Sequence, residues 1–330
     1  SVFGSTNSMP LKSYAYTYDN LNRLKSGAGY YFTYSQSSSS GNNETFDYDK
    51  MGNITSMMRY KDNSVIDYLS YKYIGNQSIG IFDYAGSRIS YNIKEYQDKN
   101  HVYGAVGEMT YDGNGNMIKD LDRDIYTIRY NILNLPEIIQ FKDGHQIINA
   151  YDAGGQKLSS RYYTIMSRAD VPVINTLQPG DVLNLQYNMD IIDETGTFYV
   201  DNKEYTFNGC DPGVYGLDKV YNTEGYANSL GGYYGPNYHY YRKDHLGNNR
   251  EVWNASNNTT LQCTNYYPSG LPWAESSGVS VQNKKYNGKE FVEMHGYDTY
   301  DYGARGLYPA IGDRFMSIDP LCEKYYSISP

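Results

Sequence analysis

Met109-Thr110-Tyr111-Asp112-Gly113-Asn114-Gly115-Asn116-Met117-Ile118 is the stretch whose reading decides the fold. An aromatic strand residue leads into a Tyr-Asp pair, a Gly/Asn run follows, and an apolar residue then restarts the chain. The Asp can accept hydrogen bonds from backbone N–H groups two residues on, which closes an Asx-type turn. The Gly or Asn next to it supplies the positive φ of a tight hairpin. The segment therefore reads as strand, turn, strand.

The same unit recurs along the chain. Copies run from Tyr14 to Leu24 around Tyr18-Asp19, from Phe46 to Ile54 around Tyr48-Asp49, and from Ala150 to Leu158 around Tyr151-Asp152. Degenerate copies lie at Tyr130-Asn131 and at Asp83-Tyr84. Tyr111, Tyr130 and Tyr151 are spaced by 19 and 21 residues, the length of two short strands with their turns. Tyr14, Tyr16 and Tyr18 share one face of a period-two strand, as do Tyr126, Ile128 and Tyr130. A lone hairpin cannot bury its own face, so neighbouring hairpins must zip side by side. The fold class expected is all-β, with tandem hairpins forming one long curved sheet.

Composition agrees. The 330 residues include 41 Tyr and 32 Gly but only 9 Phe and 2 Trp. Tyr suits strands because its ring packs on the pleat while its hydroxyl stays wet. A net charge of −9 with no basic cluster argues against nucleic acid as a partner. No apolar run approaches the roughly 18–20 residues of a membrane span. Cys210, Cys263 and Cys322 are odd in number and lack metal-ligand spacing.

Residues 164–237 depart from the repeat, with Pro172, Pro179-Gly180 and Asp211-Pro212-Gly213. Alternation persists at Val182–Tyr187 and Thr197–Val200, so this part is expected to add divergent strands and loops to the same sheet. Ser37–Ser40 reads as a flexible hairpin loop.

Three further segments carry a resemblance. They are Asp244-His245-Leu246-Gly247-Asn248-Asn249-Arg250, Tyr286-Asn287-Gly288-Lys289-Glu290, and the run from Tyr302 to Leu321, which contains Arg305, Tyr308, Pro309, Gly312, Arg314, Phe315 and Asp319-Pro320. With the Tyr-Asp units they resemble the YD repeats and associated core of the RHS family, and Glu323–Pro330 looks like versions found in Bacteroidetes. The resemblance divides the chain into a repeat segment (1–163), the divergent part (164–237) and the associated core (238–330). It implies a bacterial, secreted or cell-surface shell, with the core as a plug and a toxin segment as the enclosed cargo. Some members cut themselves at Asp-Pro motifs, which makes Asp319 and Asp313 the candidate catalytic acids. Asp313 departs from the family pattern by separating Gly312 from Arg314. The family's second Asp-Pro motif is expected beyond Pro330.

Plainer readings stand beside these. Two carboxylates must share a proton for aspartyl chemistry; otherwise Asp319-Pro320 is a turn and Asp313 a loop charge. Arg305 and Arg314 suit ion pairs with such carboxylates. His239 and His245 flank Asp244 without diagnostic metal spacing. Asp112–Asn116 opens like a calcium loop, but Met117 replaces the required Gly and Arg123 the required Glu. No P-loop, nucleophile elbow or dinucleotide fingerprint occurs.

No cofactor or metal is therefore expected, and no enzymatic turnover. The partners expected are a protein cargo, a chain that completes the shell, or a second copy. Glycans stacking on exposed tyrosines are the alternative.

Overall fold

The computed structural model describes residues 11–32, 36–85, 95–99, 101–104, 106–166, 176–185, 192–208, 215–228, 235–273, 282–312 and 314–325. Asp313 and Cys210 lie outside them. The chain forms two compact units. The first comprises residues 1–106, 266–274 and 310–312; the second comprises 107–265, 275–309 and 313–330.

The first unit holds β1 (Leu11–Tyr18), β2 (Leu24–Phe32), β3 (Ser37–Ser39), β4 (Glu44–Tyr48), β5 (Ile54–Lys61), β6 (Ser64–Ile74) and β7 (Gln77–Asp83). They form a seven-stranded sheet in the order β1-β2-β4-β5-β6-β7, with β3 also paired to β2. Ser37–Ser39 is thus not a free hairpin loop. It returns antiparallel against Tyr30–Phe32, because Gly29 and Gly41 let the chain fold back tightly there.

The second unit carries a thirteen-stranded antiparallel meander. Its strands are β8 (Met109–Tyr111), β9 (Met117–Asp120), β10 (Ile125–Tyr130), β11 (Pro136–Phe141), β12 (Gln146–Tyr151), β13 (Lys157–Ile165), β14 (Ile192–Val200), β15 (Lys203–Asn208), β16 (Gly216–Asn222), β17 (Gly225–Asn228), β18 (Asn237–Lys243), β19 (Asn249–Asn254) and β20 (Thr259–Cys263). The strands of the divergent segment sit in this ladder between β13 and β18. A small four-stranded sheet follows: β21 (Glu290–Val292), β22 (Thr299–Asp301), β23 (Gly306–Tyr308) and β24 (Arg314–Phe315). The all-β hairpin architecture is as expected. The ladder is divided, however, with the break falling between Asp83 and Met109, where the chain leaves the first unit.

One turn geometry builds the hairpins. At Asp112 the backbone closes twice, from Asp112 N to Asn116 O and from Gly115 N to Asp112 O. The Asp112 carboxylate accepts from Asn114 N and Asn116 N through Oδ1 and from the Asn116 amide through Oδ2, each at 2.9 Å. Asp19, Asp49 and Asp152 repeat the two backbone-amide bonds, and Asn131 provides the same acceptor in the degenerate copy. The positive φ falls three residues after the acid, at Asn22, Gly52, Gly115, Asn134 and Gly155, and not directly beside it. The ladder register shifts at each such turn, pairing Tyr18 with Leu24, Tyr48 with Ile54, Tyr111 with Met117, Tyr130 with Pro136 and Tyr151 with Lys157. Turn amides hold the Asp19 carboxyl below its ordinary range, the Arg23 N–H contributing most.

Alternation sets the core. Phe46, Met57, Leu69, Tyr71 and Ile81 are buried in the first unit, and Met109, Met117, Ile125, Ile139, Phe141 and Ile147 in the second. Ring pairs two residues apart stack along single strands, Tyr14 on Tyr16 at 5.8 Å and Tyr71 on Tyr73 at 6.2 Å.

Candidate functional site

The residues of the core motif make several different kinds of contact. Asp244 makes the same turn as the Tyr-Asp units. It accepts from Leu246 N and Asn248 N at 3.0 Å each and from the Asn248 amide at 2.9 Å, and Gly247 takes the positive φ of 83°. His245 is exposed in that turn, whereas His239 is buried and stacks on Tyr226 at 4.5 Å. The Asp244 segment is therefore one more hairpin of the ladder, which its separate motif had concealed. Asn287 of the Tyr286–Glu290 segment then donates its backbone N–H to the Asn248 side chain at 2.8 Å.

In the first unit, residues 266–273 and 310–312 pack on the seven-stranded sheet. Arg59 is fully buried between Glu44 and Asp67, its Nε 2.6 Å from Glu44, and its Nη2 donates to the Ala310 carbonyl at 3.2 Å. Glu44 also accepts from Ser269 N at 2.9 Å and from the Ser269 hydroxyl at 2.7 Å. Two carboxylates share one guanidinium here. Burial pushes the Asp67 carboxyl up to about 7, against the pull of Arg59, with Asp83 and Glu95 adding to the push. Gly312, at φ 82°, lets the motif backbone lie against Ile54, Phe46 and Met57; a Cβ there would stand 2.9 Å from Ile54.

In the second unit, two cations seat the four-stranded sheet. Arg123 is buried, pairs with Asp120 at 2.6 Å, and donates to the Tyr297 carbonyl and the Thr299 hydroxyl at 3.0 Å each. Its guanidinium lies 4.0 Å from the centroid of the buried Tyr308 ring. Lys157, at the start of β13, reaches Glu290 at 2.8 Å and Asp301 at 2.7 Å. Burial opposes its charge, but Glu290, Tyr199 and Asp301 hold the ammonium well above the ordinary lysine range. Backbone pairing adds Met117 N to Met316 O at 2.9 Å.

Asp319 pairs with Arg305 at 3.0 Å at the surface, its side chain 45% exposed, and Arg305 lies over Phe315 at 3.8 Å. The Asp319 carboxylate also accepts from Leu321 N at 2.8 Å, so Asp319-Pro320 forms a turn leading into the short helix Cys322–Tyr325. Its proposed acid partner Asp313 lies outside the described residues. Arg314 pairs in register with Tyr308 as β24 closes on β23.

Sequence reasoning missed Arg59, Arg123 and Lys157. A lone cation facing inward, from strands β5 and β13 for Arg59 and Lys157 and from the turn between β9 and β10 for Arg123, was the available signal, since such residues are rarely buried unpaired.

No protein-family model matches the chain, and no curated protein matches it. Among solved structures it is similar to the Tc holotoxin pore of Photorhabdus luminescens, with a TM-score of 0.59 and 16% identity over 95% of this chain. The chain spans only 14% of the length of that one. A crystal structure of TcdB2-TccC3 aligns with 94% of this chain and 20% of its own at 14% identity, with a TM-score of 0.32 that carries no structural weight. Among the described residues no helix is long and apolar enough to cross a membrane. The first likeness shows the fold: tandem antiparallel hairpins of the kind found within that toxin complex.

Proposed function

We propose that the chain is a structural segment of an exported bacterial RHS-type shell, with residues 282–325 serving as the fastened core that helps enclose a protein cargo. The observation that carries this reading is the seating of the four-stranded sheet by the buried Arg123 and the largely buried Lys157, whose charge is matched by two carboxylates. A loosely tethered tail has no use for buried cations, because each must be matched by hydrogen bonds and counter-charges to be tolerated. The fold likeness to a chain of a Tc holotoxin supports the reading. The role is non-enzymatic, and Asp319 serves its turn. Cargo means a further segment of the same polypeptide or a second chain; terminal strands such as β8 and β20 suit completion by a partner. Protease treatment of the full-length gene product tests this. The cargo should resist digestion until the shell is denatured, and digestion at the rate of the isolated cargo overturns the proposal.

A second reading, glycan binding, is favoured by one observation. Tyr68, Phe82, Tyr84 and Tyr103 form a contiguous aromatic cluster with centroids 4.7–5.8 Å apart, and Tyr103 is 67% exposed. Tyr84 is 45% exposed as well, so these two rings offer faces on which a sugar ring stacks. Glycan-array binding that Tyr84→Ala with Tyr103→Ala removes supports it; an empty array rejects it.

A further inference from the structure

Lys157, Glu290 and Asp301 bring together the groups needed to join two strands covalently. Glu290 and Asp301 stand opposite one another on β21 and β22 as direct cross-strand partners. Lys157 enters from the thirteen-stranded sheet and touches both, at 2.8 and 2.7 Å. Side-chain exposure is 13% for Lys157, 12% for Glu290 and 25% for Asp301. The Tyr199 ring lies 5.0 Å from the ammonium. An ion pair at a sheet junction needs one carboxylate; this lysine has two, and they are held differently.

Glu290 is oriented for proton transfer. Its Oε1 accepts from the Tyr199 hydroxyl at 2.7 Å and from the Asn283 amide at 2.9 Å, which leaves Oε2 facing the lysine. Asp301 is arranged as an acceptor. Its Oδ1 receives the Gly303 N–H at 2.6 Å, a donor placed where negative charge develops when a nucleophile adds to the carboxyl carbon. Its Oδ2 faces Lys157 Nζ. A cavity of about 30 Å³, lined by Lys157, Asp301, Thr299, Tyr151 and Asn149 among others, adjoins the pair. That is room for one water beside the Lys157 and Asp301 side chains.

We propose that Lys157 and Asp301 form an intramolecular isopeptide bond, with Glu290 as the proton shuttle. The ammonium gives one proton to the Glu290 carboxylate. The freed amine attacks Cγ of Asp301 and forms the C–N bond. The adduct's Cγ–Oδ2 bond then breaks, and Oδ2 leaves as water, taking the shuttled proton from Glu290 and one of the two protons left on nitrogen, so that the amide keeps one N–H. Ammonium plus carboxylate thus becomes amide plus one water. Charge balances, Glu290 is regenerated as a carboxylate, and no oxidant or cofactor is consumed. Holding the reactants in contact supplies the entropy that a bimolecular condensation lacks. The product ties β22 to β13 and makes the core sheet a permanent part of the second unit.

Intact-mass measurement of the purified, denatured full chain decides the matter. The expected mass is the sequence mass less one water, and digestion should release a branched peptide joining Lys157 to Asp301. Lys157→Arg, which keeps the charge, should restore the full mass, and Glu290→Gln should leave most of the chain unlinked. Asp301→Asn should still link, with loss of ammonia in place of water. A wild-type chain at full mass overturns the proposal, whatever the variants do. So does a water deficit that persists in Lys157→Arg, or a branch on Glu290.

Discussion

The hydroxyl of Tyr130 donates to the carbonyl oxygen of Met117 across 2.7 Å. Met117 restarts the strand after the Asp112 turn, at the point where the ladder register shifts. The relationship repeats: Tyr48 reaches Leu24 O at 2.7 Å, Tyr73 reaches Ile54 O at 2.8 Å and Tyr151 reaches Pro136 O at 3.1 Å. Each acceptor closes the bulge of a preceding hairpin. A tyrosine of one hairpin therefore satisfies the irregular backbone of its neighbour, which explains why tyrosine serves here and phenylalanine does not.

Removing one such hydroxyl should be measurable. Tyr130 is largely buried, and Tyr130→Phe leaves the Met117 carbonyl without this donor at a cost of about 1 kcal/mol. Tyr18 is 59% exposed, so Tyr18→Phe should cost little. Urea denaturation of both variants checks the pair, and equal midpoints would show that the stitch contributes nothing.

The turn acid makes a larger contribution. Asp112→Ala removes the acceptor of three hydrogen bonds, and about 1–3 kcal/mol should be lost if the amides stay partly desolvated. Asp112→Asn should keep most of the stability, since Asn131 already makes the two backbone-amide bonds in the degenerate copy. Gly115 has φ 78°, so Gly115→Ala should cost roughly 1–2 kcal/mol from backbone strain alone. An Asn variant as unstable as the Ala variant would show that the carboxylate charge, and not the turn geometry, is what matters.

These turns also show what the sequence made legible. The Tyr-Asp unit is local, so its hairpin could be read from neighbouring residues. Its bonding reaches further than the expected two residues, however, because the same Oδ1 also caps the amide four residues on. Asp244 was hidden only by being read as part of a different motif. The core's fastening was not legible, because Lys157 meets Glu290 across 133 residues of chain. No periodicity encodes such a meeting; it depends on where the long sheet ends up. Asp319 illustrates the reverse: its motif is prominent, yet the visible geometry is a turn and a surface ion pair.

The first unit should become less stable as pH rises. Asp67 is raised to about 7 from an ordinary 3.8 by burial, so the folded chain keeps a proton that the unfolded chain releases between those values. Where the native state binds more protons, stability falls with increasing pH. The groups that bear on Asp67 are Arg59, Asp83 and Glu95. Urea midpoints of wild type and Asp67→Asn, followed from about pH 4 to about pH 8, give the check. The difference between them should change through this window, and a constant difference would remove the assignment.

The second unit should behave oppositely on the acid side. His295 lies in the turn Met294–Gly296 at φ 58° and stacks on His145 at 4.5 Å, with Phe141 edge-on at 5.6 Å. His145 is committed elsewhere: its Nδ1 accepts from Ile165 N at 2.9 Å and its Nε2 faces Asp143 at 3.2 Å. Burial, and then His145, push His295 down to about 3 from an ordinary 6.5. The unfolded chain therefore takes up a proton that the folded chain refuses, and stability is lost as pH falls through that range. His295→Asn removes the titration while keeping a residue that tolerates positive φ. The acid-side slope of wild type should flatten in this variant, and hydrogen-exchange protection factors at Met294–Gly296 should fall in wild type between about pH 6 and pH 4. Identical slopes, or protection factors that do not change with pH in that turn, would assign the acid sensitivity to other groups.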